Sequence, residues 1–169
     1  QRFLGIDQDE MLRDVIPEAV RAHFQVDDAV VHIETAVKSG VSYDRIALFD
    51  VLEHFDVDAG RKLLSDLRGI LASTGRIVIK VPNAASPWGQ QFQYGDLTHK
   101  TAYTPESMAQ QAIASGYDCL KTYPHKLGSP ARQRWEGMLH GLLGRLVTSP
   151  PAIWEGNFYA VLAPTIKPM

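Results

Sequence analysis

Cysteine is nearly absent: Cys119 is the only one in 169 residues. That excludes an intrachain disulfide framework and a thiolate metal cluster, and it suits a reducing cytoplasm, the expected location. Long apolar runs are missing too. The longest, residues 77–81, is broken by Lys80 and is strand-sized, and no secretory apolar segment opens the sequence. A soluble protein with no membrane span is therefore expected. Charge of one sign is not in excess. A formal charge of −2 and a pI near 6.3 leave no electrostatic footprint for nucleic acid or anionic lipid, which favours a small-molecule or glycan partner. A dinucleotide fingerprint of the G-x-G-x-x-G form is not visible, which argues against a nicotinamide-dependent oxidoreductase.

What is present is apolar residues, 45% of the chain, enough for a single domain with one core over residues 1–169. RFLGID reads as a strand ending at Asp7, and DEMLRDVI as a helix that Pro17 interrupts. AHFQVDD reads as a second strand ending in Asp27 and Asp28. Residues 29–38 then carry Val30, Ile33, Ala36 and Val37 at helical spacing, with Gly40 placed to end the helix. In RIALFDVLEHF a compact apolar strand, residues 46–49, runs straight into Asp50, Glu53 and His54.

Asp58 is the expected cap of the next helix, whose stripe of Leu63, Leu64, Leu67, Ile70 and Leu71 ends at the turn around Gly75. GRIVIKVPN is the clearest strand, rich in β-branched residues and stopped by Pro82. Residues 84–103 show no period and read as a long ordered loop. Thr104 and Pro105 open a helix that Gly116 ends, and YDCLKTY follows as a strand. Ser129 and Pro130 open a last helix with Trp135, Met138, Leu139, Leu142, Leu143 and Leu146 on one face, before the final strand NFYAVLA. Alternation of this kind specifies an α/β sheet with helices on both faces, and ligands in such sheets bind beyond the carboxyl ends of the strands. Asp7, Asp28, Asp50, Pro82 and Asn83 should gather on that edge.

Each polar strand end admits two readings. Asp7 can accept the hydroxyls of a ribose or cap the helix that follows. Asp28 can accept from an adenine amino group, with the Ala29 amide donating to the ring, or cap the helix from Ala29. His54 beside Glu53 can act as a general base or simply hydrogen-bond its loop. In YGDLTHK, His99 can orient or deprotonate a substrate hydroxyl near Tyr94 and Asp96, or Asp96 and Thr98 can close a local turn. Glu53, His54, Asp96 and His99 carry ligand atoms for a divalent ion, but their spacing is not a recognised pattern, and no metal is expected. His32 and His140 sit in helical patterns, and His23 and His125 carry no signal.

GIDQDEM, the DD pair, YDRIALFDVLEHF, LLSDLRGILASTGRIVIKVPN, DLTHKTAYTPESM and ASGYD, in that order over about residues 5–123, resemble the class I S-adenosylmethionine-dependent methyltransferases. The resemblance implies a doubly wound Rossmann-like sheet, mostly parallel with an antiparallel last strand. It implies S-adenosylmethionine as cofactor, with Asp7 on the ribose and Gln8 and Met11 bordering the adenine. Asp28 and Ala29 would read the adenine edge, and Asp50, Val51 and Leu52 would line the methionine end. DLTHK and TAYTPES look like members acting on sugars, lipid-linked intermediates or other small acceptors, which Asn83, Tyr94 and Asp96 would contact. Methyl transfer is an in-line displacement in which the cofactor supplies the electrophile. A base adds ~10²-fold when the nucleophile is a hydroxyl. His99 is favoured over His54 for that role, because its loop should face the acceptor, and a homodimer is among the expected assemblies.

The family's domain begins with a strand and a GxGxG loop, whereas only QRFL precedes Gly5 here. That strand would be the middle of the sheet, and without it two neighbouring strands would lack a partner. Three explanations are ranked in this order: a sequence that is part of a longer chain, a partner chain that supplies the strand, and a non-catalytic binding or scaffold domain that no longer holds the cofactor.

Overall fold

Residues 3–165 are described by the structure, a computed structural model; Arg2, the first residue of the expected opening strand, lies outside them. β1 (Gly5–Asp7) and β2 (Phe24–Val26) pair in parallel, with Ile6 opposite Gln25 and Asp7 opposite Val26. β3 (Tyr43–Phe49), β4 (Leu71–Pro82), β5 (Tyr117–Pro124) and β6 (Asn157–Pro164) form a second sheet in the order β3-β4-β6-β5. β3 and β4 are parallel, and β6 runs antiparallel to both of its neighbours. This is the mixed sheet with an antiparallel last strand that the motif order implies. Among the described residues no ladder joins β1 to β3.

Local chemistry sets the helix ends. Pro17 has no N–H to donate, so the segment after β1 forms two short helices, α1 (Leu12–Val15) and α2 (Glu18–Arg21), on either side of it. α3 (Ala29–Ser39) starts at Asp28, whose carboxylate accepts from the Val30 and Val31 amides, and stops at Gly40 with φ 68°. α4 (Val57–Leu67) corrects the expected cap: Asp56 accepts from the Ala59 amide at 2.9 Å, while Asp58 stands exposed in the first turn beside Arg61. The helix stops at Leu67, so Ile70 and Leu71 lie beyond it. Leu71 already pairs with Tyr43, and the ladder resumes at Arg76 opposite Arg45 after a bulge.

The segment read as a loop holds one short helix, α5 (Gln90–Gln93). α6 (Pro105–Ala114) has a full capping box between Thr104 and Ser107. α7 (Pro130–Leu146) is capped by Ser129. Among the described residues no helix is long and apolar enough to cross a membrane.

Strand register places Leu48, Ile79 and Ala160 abreast, with Ile77, Val81, Phe158 and Leu162 on the same face. Against them pack Ile33 and Ala36 of α3, Leu63, Leu64 and Leu67 of α4, and Met108 and Ala112 of α6. Truncating a residue such as the fully buried Leu64 to alanine should cost roughly 2–5 kcal/mol, because the rigid neighbours cannot close the void. The opposite face, with Ala47, Phe49, Val78, Lys80, Tyr123, Tyr159 and Val161, is only half-buried or exposed. Along it Phe49, Tyr159 and Tyr123 form an aromatic row, with centroids 5.9 and 5.0 Å apart. α7 buries none of its residues, and its apolar stripe stays exposed at Trp135, Met138, Leu139, Leu142 and Leu146. Pro82 pairs with Asn157 and Pro124 with Phe158, so the ends of β4 and β5 share one edge with the start of β6.

Candidate active site

An open cavity of about 380 Å³ lies at that edge. Asp50, Glu53 and His54 reach it from the exit of β3, and Lys80 and Pro82 from the end of β4. Phe92, Asp96 and His99 come from the loop after β4, with His125, Leu127 and Asn157 closing the far side. The sheet thus does what its polarity dictates, collecting polar side chains beyond the strand ends.

The exit of β3 is shaped by Asp50, the only non-glycine residue with positive φ (54°) among those described. Such a backbone costs about 1–3 kcal/mol and persists where surrounding contacts hold it. Here the Asp50 amide donates to the Lys80 carbonyl at 3.0 Å, and its carboxylate pairs with the Lys80 ammonium at 2.5 Å. The chain then winds into a single 3-10 turn, Leu52–His54, that buries Leu52 and Glu53 completely. The loop carrying DLTHK is tied to this turn. The Lys100 and Thr101 amides donate to the Glu53 carbonyl at 2.8 and 3.1 Å, and the Thr101 hydroxyl donates to the Phe55 carbonyl at 2.7 Å.

This brings His54 and His99 edge to face, ring centroids 4.7 Å apart. His99 Nδ1 lies 3.0 Å from the Gln93 carbonyl, which can only accept, so Nδ1 carries the hydrogen and Nε2 is left as the basic nitrogen. The Thr98 hydroxyl donates to Asp96 Oδ1 at 2.7 Å and sits 2.8 Å from His54 Nδ1. Its only proton is used, so it accepts from His54 Nδ1, and His54 too presents a bare Nε2. Hydrogen bonds from the Thr98 hydroxyl and amide hold the Asp96 carboxyl below its usual range.

Glu53 is the outlier. It is fully buried, and neither carboxylate oxygen has a hydrogen-bond partner among the described residues. Burial, with a smaller push from Asp50, raises its carboxyl to about 7, against weaker opposing effects from its own backbone hydrogen bond and Lys80. The hydroxyl of buried Tyr103 is likewise unpartnered, and burial with the Glu53 charge pushes it up to about 12.

The expected site residues separate into two places. Asp50, His54, Asp96 and His99 line the cavity. Asp7, Gln8, Met11, Asp28 and Ala29 belong to the β1–β2 side and lie outside its lining. Two of the expected residues are fully buried. The Leu52 side chain belongs to the apolar core. Asn83 is fully buried, its amide donating to the Ile153 and Glu155 carbonyls at 2.9 and 3.1 Å and its oxygen accepting from the Ala85 amide, so it latches two loops together. Tyr94 is largely exposed and outside the lining. Sequence reasoning missed Lys80 and His125. Lys80 had a signal, as the lone charge in an apolar strand, whereas His125 reaches the cavity only through the pairing of β5 with β6.

Fold and site together are those of a Rossmann-like α/β domain with its polar groups gathered beyond the strand ends. A family model described as a methyltransferase domain matches residues 3–122, well over half of the sequence. The chain belongs to that methyltransferase family. No curated protein sequence matches significantly. Among solved structures, the chain is similar to an S-adenosylmethionine-dependent methyltransferase from Archaeoglobus fulgidus, with TM-score 0.66 and 19% identity, covering 94% of this chain and 74% of that one. It is similar to the mitomycin 7-O-methyltransferase, with TM-score 0.59 and 11% identity, covering 92% and 38%. It is also similar to the magnesium protoporphyrin IX methyltransferase from Synechocystis with bound S-adenosylmethionine, with TM-score 0.54 and 10% identity, covering 96% and 59%. The chain therefore spans about three quarters of the first of these and less than two thirds of the other two.

Proposed function

We propose that the chain carries S-adenosylmethionine-dependent methyl transfer to an oxygen of a small-molecule or glycan-intermediate acceptor. The convergence of Asp96, His54 and His99 on one open cavity at the strand ends of a methyltransferase-family sheet supports this most directly. An O-methyltransferase among the similar structures supports oxygen as the receiving atom, and a relative solved with S-adenosylmethionine supports that cofactor.

The donors and acceptors on the β1–β2 side fit the cofactor. Asp7 Oδ1 takes the Asp9 amide at 2.9 Å, which leaves Oδ2 for a ribose hydroxyl. Gln8 and Met11 are exposed beside it. The Asp28 cap engages the Val30 and Val31 amides, leaving the Ala29 N–H of the first turn for an adenine nitrogen and Asp28 Oδ2 for the amino group. Asp50, Val51 and the Leu52 backbone stand at the β3 exit for the methionine end. When bound, S-adenosylmethionine supplies a methyl group on a sulfonium, open to in-line displacement. His99 Nε2, fixed by its Gln93 contact, takes the acceptor proton, with His54 as the second candidate and Asp96 and Tyr94 contacting the acceptor.

Residues 1–169 as one domain, with a further strand between β1 and β3, form part of the same proposal, supported by the edges of β1 and β3 that no ladder joins among the described residues. A homodimer and a cytoplasmic location belong to it too, supported by the exposed stripe of α7 and by the single thiol of Cys119. The test is calorimetric titration of the full-length protein with S-adenosylmethionine, followed by methyl transfer to hydroxyl-bearing acceptors. Binding that Asp7→Ala weakens at unchanged folding is expected. A folded protein that binds no cofactor overturns the proposal and leaves a non-catalytic module of this fold.

A further inference from the structure

Three side chains in the cavity are arranged in a way that proton transfer alone does not require. The ligand atoms of Glu53, His54 and His99 lie within 4.8 Å of one another. Both histidines have Nδ1 engaged, by the Gln93 carbonyl and by the Thr98–Asp96 pair, which leaves Nε2 of each as the nitrogen available to a ligand, that of His99 4.0 Å from Asp96 Oδ2. A histidine that donates its other ring hydrogen to a carbonyl or a carboxylate-linked group is the arrangement that fixes metal-ligating imidazoles. Glu53 is fully buried with both oxygens unpartnered. A buried carboxylate without a partner is unfavourable, and either a proton or a cation relieves it.

We propose that Glu53, His54 and His99 form a binding site for one divalent transition-metal cation. The donor set, two imidazole nitrogens and one carboxylate oxygen, suits first-row ions of intermediate softness. Three donors sharing one ion with bonds of ~2.1 Å stand about 3.0–3.6 Å apart, so a pair at the 4.8 Å limit must close by about 1 Å or more, through side-chain rotation of the two histidines. The surroundings favour a cation: Asp50 and Asp96 share the cavity, and Lys80, the one ammonium in its lining, is paired with Asp50. Three protein ligands leave coordination positions open toward the cavity. An acceptor hydroxyl bound there would lose its proton more readily, because the cation stabilises the alkoxide or phenolate. With the cation bound the histidines act as ligands and solvent or Asp96 receives the proton; His99 Nε2 serves as the base only in the cation-free chain. That consequence rests on the proposed methyl transfer to oxygen, whereas cation binding does not.

The test is made on full-length protein freed of metal by chelator and without cofactor. Co²⁺ is titrated in and followed by its visible absorption, and Mn²⁺ by calorimetry. Saturation at one ion per chain is expected, with a Co²⁺ spectrum of mixed nitrogen and oxygen ligation. His99→Ala and His54→Ala should each abolish the saturable phase, Glu53→Gln should weaken it by about tenfold or more, and Thr98→Val by about tenfold through loss of the His54 support. Circular dichroism confirms the fold of each variant, and His99→Gln serves where alanine disturbs it. A folded wild-type protein with no saturable binding at millimolar ion overturns the proposal. So does binding unchanged in both His99 variants, since it would sit at another histidine. One ion bound without methyl transfer to any hydroxyl acceptor supports the cation site and counts only against the reaction.

Discussion

His54 and His99, one on the turn after β3 and the other on the loop after β4, meet edge to face with both Nδ1 atoms engaged. The pair should therefore populate the Nδ1–H form in the metal-free protein. Nitrogen-15 NMR of the imidazole rings in mildly alkaline solution should show Nε2 as the unprotonated nitrogen in each. Thr98→Val should disturb His54 and leave His99 unchanged, because the Gln93 carbonyl still holds the latter. Rings that carry their hydrogen on Nε2 would contradict the hydrogen-bond directions on which the site is built.

Glu53 gives a pH dependence of definite sign. Its carboxyl lies at about 7 in the folded chain against an ordinary 4.5, raised chiefly by burial. Between those values the native state binds more protons than the unfolded state, so stability falls as pH rises through the window and levels off above about 7. The full loss is roughly 3 kcal/mol. Urea unfolding in the presence of chelator should show this slope for wild type and its absence in Glu53→Gln, which keeps the shape without the charge. Parallel profiles for the two proteins would mean that the carboxyl is not held neutral.

How much of this was legible in the sequence follows from what each signal depends on. Strand ends, helix caps and the β-branched run of β4 are local, and Asp28, Thr104, Ser129, Gly40 and Gly116 stand where their chemistry requires. The misplaced cap at Asp58 reflects two carboxylates, Asp56 and Asp58, close enough that composition cannot choose between them. The site was legible as two motifs, DVLEHF and DLTHK, but not as one cluster. Their junction depends on the Lys100 and Thr101 amides meeting the Glu53 carbonyl, a contact between distant segments that no spacing reveals. The latch at Asn83 was hidden for the same reason, since its partners Ile153 and Glu155 lie across the fold.

Asp28 and Asp7 should separate stability from binding. Asp28 accepts from two amides at the start of α3, so Asp28→Ala should cost about 1 kcal/mol and Asp28→Asn much less. Asp7 takes one exposed amide, and Asp7→Ala should alter stability by no more than about 0.5 kcal/mol. Denaturant unfolding measures both. If Asp7→Ala proves the more destabilising, its carboxylate serves the fold and the ribose assignment loses its support.

Gly89 should prove irreplaceable because of what it touches rather than its backbone angle. A Cβ at this position would run into the Asn83 carbonyl, 2.7 Å from its carbon and 3.2 Å from the Gly156 oxygen. Those groups belong to the latch between the two loops: the Asn83 backbone N–H donates to the Gly156 carbonyl at 2.9 Å, and the Ser86 hydroxyl donates to the Trp154 carbonyl. The obstacle is backbone on both sides, so no rotamer change can relieve it. Gly89→Ala should therefore destabilise by about 3 kcal/mol, the upper end for overpacked sites, and lower Tm by roughly 6–12 °C. Asn83→Ala, which keeps the backbone bond to Gly156 but removes the side-chain hydrogen bonds to Ile153, Glu155 and Ala85 without adding volume, should cost about 1–3 kcal/mol. Thermal unfolding distinguishes the two causes, since Asn83→Ala combined with Gly89→Ala should lose less than the sum if removing the buried amide lets the loop yield. A Gly89→Ala protein with wild-type Tm would show that the loops are not clamped as described.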